Sequence, residues 1–185
     1  MARTSSNMLP LGTVAPTFNL LDTVSNKARS LDSLKGSKGT VIMFICNHCP
    51  FVIHVNSTLV KIANAYAGKG ISFIAISSND AINYPQDSPE KMTIHAKTEN
   101  YPFPYLYDKT QNVAKAYDAA CTPDFYIFDS ELKLTYRGQL DNSRPGNGFP
   151  CTGADVTHAL NCLLENKTNS NTQNPSIGCG IKWIN

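Results

Sequence analysis

The segment from Thr40 to Ser77 limits what this chain can fold into more than any other feature. Thr40-Val41-Ile42-Met43-Phe44-Ile45 is an apolar run with the composition of a buried strand. Apolar side chains then recur at Val52, Val55, Leu59, Ile62, Ala63 and Tyr66, every third or fourth position, which predicts a helix with one buried face. Gly68 and Gly70 end it. Ile71 to Ser77 supplies a second apolar strand, and strand, helix and strand at this spacing imply a right-handed crossover between parallel strands. The tetrad Cys46-Asn47-His48-Cys49 therefore falls at the carboxyl end of a central strand, where a helix begins.

The flanking chain extends this unit into an α/β domain. Up to Gly39 the sequence has Pro10, Pro16 and short apolar patches, which suit an edge strand or hairpin. Ser88-Pro89-Glu90 reads as the start of an inserted helix that runs to about Glu99, with Ser88 as its cap and Pro89 in its first turn. Phe103 to Tyr107 is a short strand, and Asp108 with Gln111 resembles a capping box for a helix over Lys109 to Tyr117. Phe125 to Phe128 and Leu132 to Tyr136 form an antiparallel hairpin with one wet face. Val156, Ala159, Leu160, Leu163 and Leu164 mark a last helix. From Glu165 to Ser176 no apolar period remains, which predicts a flexible linker before the tail Ile177 to Asn185. The expected organisation is one domain over 1–164, with 1–39 as an N-terminal extension and 165–185 as linker and tail.

Composition narrows the function by exclusion. A net charge of +2 with no Lys/Arg cluster carries no electrostatic footprint for nucleic acid or an acidic membrane surface. No apolar stretch approaches the roughly 18 residues of a membrane span, and the first residues lack a signal-peptide core. The expected compartment is the cytoplasm, or the periplasm if an export signal has been removed. The six cysteines (46, 49, 121, 151, 162, 179) do not need to be staples, since a chain of 185 residues with ample Val, Ile, Leu and Phe can build a core without them.

Thiol exchange is the better use for the first pair. The thiolate is the reactive species, and a helix N-terminus lowers a thiol pKa from its ordinary value of about 8.5. Cys46 is the candidate nucleophile, and Cys49, one helical turn away, is placed to resolve a mixed disulfide on it. No bound cofactor is required beyond the redox-active disulfide itself.

This order of elements, with the Cys-x-x-Cys opening the first long helix and Thr122-Pro123 just before the hairpin, resembles the thioredoxin fold. It is closest to the branch of the alkyl hydroperoxide reductase/thiol-specific antioxidant and thiol-disulfide oxidoreductase families. The resemblance covers about Leu11 to Leu164. It implies a central mixed sheet flanked by helices, with the helical insertion after the first βαβ unit and a C-terminal tail. It also implies a cis bond at Pro123, with the Thr122 backbone positioned to hydrogen-bond an extended substrate chain. His48, directly before Cys49, resembles the oxidising members of the superfamily; an imidazole there favours the Cys46 thiolate and a potential above thioredoxin's roughly −270 mV. The implied activity is thiol-disulfide exchange with a disulfide-bearing protein or small molecule, recharged by a thiol partner. A peroxidase is the alternative within the fold. If Cys49-Pro50 is laid on the peroxidatic Cys-Pro of peroxiredoxins, however, Cys46 and Ile42 fall where that motif has Thr and Pro. Pro123 falls near the place of the activating arginine, leaving Arg137 and Arg144 as substitutes.

The remaining residues divide between chemistry and packing. Cys121, two positions before Pro123, is either a third thiol or a small buried side chain. Cys179, on the tail, is a candidate resolving thiol. The ligand set for zinc is incomplete, so no metal is expected. Cys151 and Cys162 read as structural, His54 as solvent-facing or packed beside the site, and the turn-rich loop from Asp141 to Gly148 as a rim. Tyr84, Tyr101, Phe103 and Tyr105 either line a groove or pack locally. A reading from another class stays open, in which the same cysteines form a non-enzymatic redox sensor or metal-binding module.

Overall fold

The computed structural model describes residues 3–184. Strand β1 (Arg3–Ser5) precedes a hairpin of β2 (Asn19–Asp22) and β3 (Lys27–Ser30), the single turn α1 (Leu31–Leu34) and strand β4 (Gly39–Phe44). Helix α2 (Pro50–Tyr66) leads to β5 (Ile71–Ser77), a 3-10 turn (Pro85–Asp87), α3 (Pro89–Thr98), β6 (Tyr105–Tyr107) and α4 (Asn112–Ala116). The chain continues with β7 (Cys121–Thr122), β8 (Asp124–Asp129), β9 (Leu134–Gly138), α5 (Ala154–Leu164) and β10 (Ile177–Gly180).

Seven strands make one mixed sheet in the order β3-β2-β6-β5-β4-β8-β9, and β1, β10 and β7 make a second, smaller one. The crossover expected from the sequence is present: β4 and β5 are parallel, with Ile42 opposite Ile74, and α2 joins them. Helix α3 then carries the chain from β5 to its other parallel neighbour, β6. Strand β8 pairs antiparallel with the far side of β4, which puts β4 inside the sheet.

Alternation along β4 decides which layer each side chain joins. Val41, Met43 and Ile45 face the layer of α2, α3 and α5, whereas Ile42 and Phe44 face α1 and α4. All five are buried, which is why this strand reads as an unbroken apolar run. Each such side chain contributes about 1.5–3 kcal/mol by burial. The result is the expected α/β architecture of a central mixed sheet flanked by helices. No helix among the described residues is long and apolar enough to cross a membrane.

Two local expectations are corrected. Asp108 and Gln111 do not form a capping box, and α4 begins only at Asn112. The Asp108 carboxylate accepts from Ser78 Oγ and from the Ala114 N–H, both at 2.9 Å, while the Gln111 side-chain amide donates to the Ser78 and Lys182 carbonyls at 2.7 and 2.8 Å. Asp108 thus serves an N–H in the first turn of α4, whereas the Gln111 side chain is taken up by buried backbone carbonyls of Ser78 and Lys182.

The second correction concerns 165–185, expected to be linker and tail. Ile177–Gly180 is a strand, paired antiparallel with β1 on one side and β7 on the other. Two of its four residues are glycine, so it has no apolar period to detect. The glycine at 178 is a packing requirement, because a Cβ there would stand 2.0 Å from the Thr122 carbonyl oxygen.

Candidate active site

The site is assembled where β4 ends and α2 begins. Cys46 lies two residues past β4, and Cys49 is the residue that caps α2, with Pro50 in its first turn. Proline fits there because the first helical N–H groups lack intrahelical partners and its φ is already helical. Both thiols are sealed inside the protein, at 1% and 0% exposure.

Thr122 touches both. Its Oγ1 lies 3.4 Å from Cys46 Sγ, and its carbonyl oxygen lies 3.2 Å from Cys49 Sγ. The Thr122–Pro123 peptide bond is cis. A third sulfur joins them from β10: Cys179 Sγ is 2.8 Å from Cys49 Sγ and only 3% of Cys179 is exposed. All six cysteines are free thiols.

The surroundings treat the two thiols of the tetrad differently. Cys49 is held down to about 5, first by its hydrogen bond with Cys46 and then, against the opposing cost of burial, by Cys179 and the Val52 N–H in the first turn of α2. The Thr122 carbonyl is the one close group that opposes a thiolate there, since only the protonated sulfur can donate to it. Cys46 is pushed well above the usual thiol value by the same hydrogen bond, by burial and by the nearby Asp87 carboxylate. These directions run opposite to the thiolate on Cys46 expected from the sequence.

His48 faces Asp87, a residue the sequence reading missed. His48 Nδ1 lies 2.8 Å from Asp87 Oδ2, off the axis of a hydrogen bond. The fully buried Asp87 carboxylate also accepts from the Asn47 N–H at 2.9 Å and from Asn79 Nδ2 at 2.7 Å. Tyr84 stacks on the imidazole at 6.1 Å, and Tyr105 donates to Asn47 Oδ1 at 3.1 Å. One sequence signal points to these groups. The polar run Ser77-Ser78-Asn79-Asp80 closes parallel strand β5, and in α/β sheets functional side chains collect at the carboxyl ends of neighbouring parallel strands. Among the described residues, Cys46, His48 and Asp87 are the one group able to offer ligand atoms to a metal ion, with those atoms within 4.8 Å of one another.

Other candidates lie apart. Cys121 Sγ turns toward the carbonyls of Pro123 and Ser176, at 3.8 and 4.0 Å, and burial raises its pKa far above the ordinary thiol value. Arg137 donates to the Leu9 carbonyl and Gln173, and Arg144 to the Asp141 and Ser143 carbonyls and Gln139. His54 meets Ser143 Oγ at 2.7 Å, which ties the 141–148 loop to α2. Tyr101 packs between Phe103 and Tyr105 and donates to Asn56, so these aromatics form local core. A surface hollow of about 740 Å³ is lined by Glu131, Cys162 and Lys167 among others and does not include the three sulfurs.

Comparison with known proteins places this geometry in context. The model of the AhpC/TSA family matches residues 11–137. An uncharacterized conserved protein from Geobacillus kaustophilus shares 59% identity, with 100% of this chain and 97% of that one covered and a TM-score of 0.98. A hypothetical protein from Sinorhizobium meliloti 1021 shares 46% identity over 98% of both chains, with a TM-score of 0.95. A putative protein disulfide isomerase from Bacteroides thetaiotaomicron is 20% identical, with 89% of this chain and 95% of that one covered and a TM-score of 0.68, a likeness of fold. No curated protein matches the chain.

Proposed function

The chain belongs to the AhpC/TSA family of thioredoxin-like, thiol-based redox proteins, and from that premise we propose that it is a thiol-disulfide oxidoreductase working through the Cys46/Cys49 dithiol. The observation that carries this reading is the placement of the pair at the start of α2, where the Thr122 hydroxyl lies 3.4 Å from Cys46 Sγ and the Thr122 carbonyl 3.2 Å from Cys49 Sγ; the surroundings hold Cys49 down to about 5. A thiol with that environment is ionised at neutral pH, the form that attacks a disulfide once one reaches it.

The proposed reaction reverses the order expected from the sequence. The Cys49 thiolate attacks one sulfur of a disulfide R–S–S–R′, forming Cys49–S–S–R and releasing R′S⁻. Cys46 gives its proton to His48, attacks Cys49 Sγ, and displaces RS⁻ as the Cys46–Cys49 bond forms. The substrate gains two electrons and the dithiol loses them; protons from the dithiol side and from water neutralise the released thiolates. A second thiol partner returns the electrons. Asp87 holds His48 beside Cys46 and, by its charge, keeps Cys46 protonated until the attack. Thr122 contacts both sulfurs, Cys46 through its hydroxyl and Cys49 through its carbonyl.

The family's other chemistry, peroxide reduction, draws no support from Arg137 or Arg144, whose guanidinium groups are bonded elsewhere. A second reading does have an observation behind it. The convergence of Cys46, His48 and Asp87 suits a metal-binding module, in which a bound ion would hold the dithiol out of exchange. Turnover of a disulfide substrate by metal-free and zinc-treated protein separates the two. Exchange predicts activity that chelator leaves intact and Cys49→Ser abolishes. Inactive metal-free protein that binds zinc tightly would favour the module.

A further inference from the structure

Strand β10 occupies the edge that a substrate would use. In the expectation drawn from the sequence, the Thr122 backbone pairs with an extended substrate chain beside the two thiols. The chain's own C-terminal strand fills that position, antiparallel, with Cys179 opposite Thr122 and Gly180 opposite Cys121. Gly178 allows the contact, because any side chain there would run into the Thr122 carbonyl and the Thr122–Pro123 linkage. The space left between α2 and β10 beside Pro123, lined by Phe51, His54 and Ile177 among others, is about 10 Å³, about room for a single water.

The strand is held from both ends. Ser176 N–H donates to Ser6 Oγ at 2.7 Å, and Ser6 N–H donates back to the Ser176 carbonyl at 2.9 Å. Beyond it, Lys182 N–H donates to Asn79 Oδ1 at 2.9 Å, and Ile184 N–H to Gln111 Oε1 at 2.8 Å. Asn79 is the same side chain whose amide donates to Asp87, so the chain end and the His48–Asp87 pair share a partner. With this seating, Cys179 Sγ stands 2.8 Å from Cys49 Sγ, where the sulfur of a bound disulfide would be.

We propose that β10 is a captive substrate strand and that Cys179 is a catalytic thiol, forming with Cys49 a second reversible disulfide couple. The proposal rests on the exchange reading above. When an external disulfide has left Cys49–S–S–R, Cys179 attacks Cys49 Sγ; the Cys49–Cys179 bond forms, RS⁻ leaves and takes up the proton that Cys179 releases. Cys46 then attacks Cys49, the Cys49–Cys179 bond breaks, and the electron pair returns to Cys179, which is reprotonated. Burial and the hydrogen bond to Cys49 push Cys179 up to about 12, so that it slows each step in which it attacks or leaves and takes its proton back once displaced. Cys49 is thus the hub of a three-thiol relay.

The test oxidises full-length protein with an equimolar amount of diamide, which takes two electrons and two protons from a dithiol, then alkylates remaining thiols and maps the linkages by mass spectrometry. In Cys46→Ser the expected product is a Cys49–Cys179 disulfide that dithiothreitol reverses, and the reduced turnover left in this variant is lost in Cys46→Ser/Cys179→Ser. Gly178→Ala in the Cys46→Ser background, which displaces β10 without touching a sulfur, lowers the yield of that linkage several-fold. If Cys179 in Cys46→Ser stays free for alkylation while Cys49 is oxidised, the proposal is overturned. Wild-type protein in the same series separates the two levels: a Cys46–Cys49 disulfide there leaves the exchange reading standing, and its absence together with that of Cys49–Cys179 removes both.

Discussion

His48 Nδ1 stands 2.8 Å from the Oδ2 of Asp87, a carboxylate with no solvent exposure that is also gripped by Asn47 and Asn79. A buried carboxylate beside an imidazole fixes where that ring sits, and here carboxylate, imidazole and the Cys46 sulfur converge within 4.8 Å of one another. The account makes His48 the acceptor of the Cys46 proton. In a Cys179→Ser background, where only Cys46 can resolve the mixed disulfide on Cys49, replacing His48 by Ala should then prolong it by about a hundredfold, the lower end of general acid–base effects. Acid quenching and mass spectrometry of the Cys49 adduct read this directly, and an unchanged lifetime would remove His48 from the mechanism.

The Cys46 hydrogen bond is the largest influence holding Cys49 down to about 5. In Cys46→Ala that donor is gone and burial is unopposed by it, so the Cys49 thiolate should titrate markedly higher. Thiolate ultraviolet absorbance against pH, or the pH dependence of alkylation, measures the shift. A Cys49 titration that stays near 5 in the variant would assign the effect to the α2 N-terminus and Cys179 instead.

Asp124, directly after Pro123, is pushed up to about 7 by burial, partly offset by the Tyr126 hydroxyl that donates to it at 3.0 Å. Its folded pKa exceeds the reference of 3.8, so between pH 4 and 7 the folded state binds more protons than the unfolded one. This group therefore costs nothing below the unfolded value, and its cost grows as pH rises until it is complete above about 7. Wild type should lose about 2–4 kcal/mol from this source between those limits. Asp124→Asn should flatten that part of the stability profile in denaturant titrations. An identical slope in both proteins would contradict the assignment.

Ile42 faces the layer of α1 and α4, on the opposite side of β4 from Ile45 and the sulfurs. Ile42→Ala should cost about 2–5 kcal/mol of stability through lost burial and a residual cavity. Because the defect lies behind the sheet, Cys49 should keep its low titration as long as the protein is folded. Denaturation midpoints and thiolate titration on one sample check both halves.

What the sequence made legible was the part governed by periodicity. The Thr40–Ser77 crossover, the hairpin of β8 and β9 and the start of α3 at Ser88 all follow from apolar spacing and cap chemistry, and each appears in the structure. The thioredoxin-like family follows from the position of the cysteine pair and Thr122-Pro123 within that order. Strand β10 escaped because its stability comes from backbone pairing and glycine contact, with no apolar alternation to reveal it. Asp87 escaped because it lies in a 3-10 turn distant in sequence from His48 and is joined to it only by the return of the chain after β5. The preference for a thiolate on Cys49 escaped because it depends on donors from Val52, Cys46 and Cys179 together, which spacing alone cannot rank.

Equilibration of the purified protein across a glutathione redox series, with thiol trapping and disulfide mapping at each point, tests the central claim most directly. The account predicts a reversible Cys46–Cys49 couple with a midpoint between about −270 and −120 mV. Cys46 and Cys49 that never pair with each other at any point of the series would contradict it.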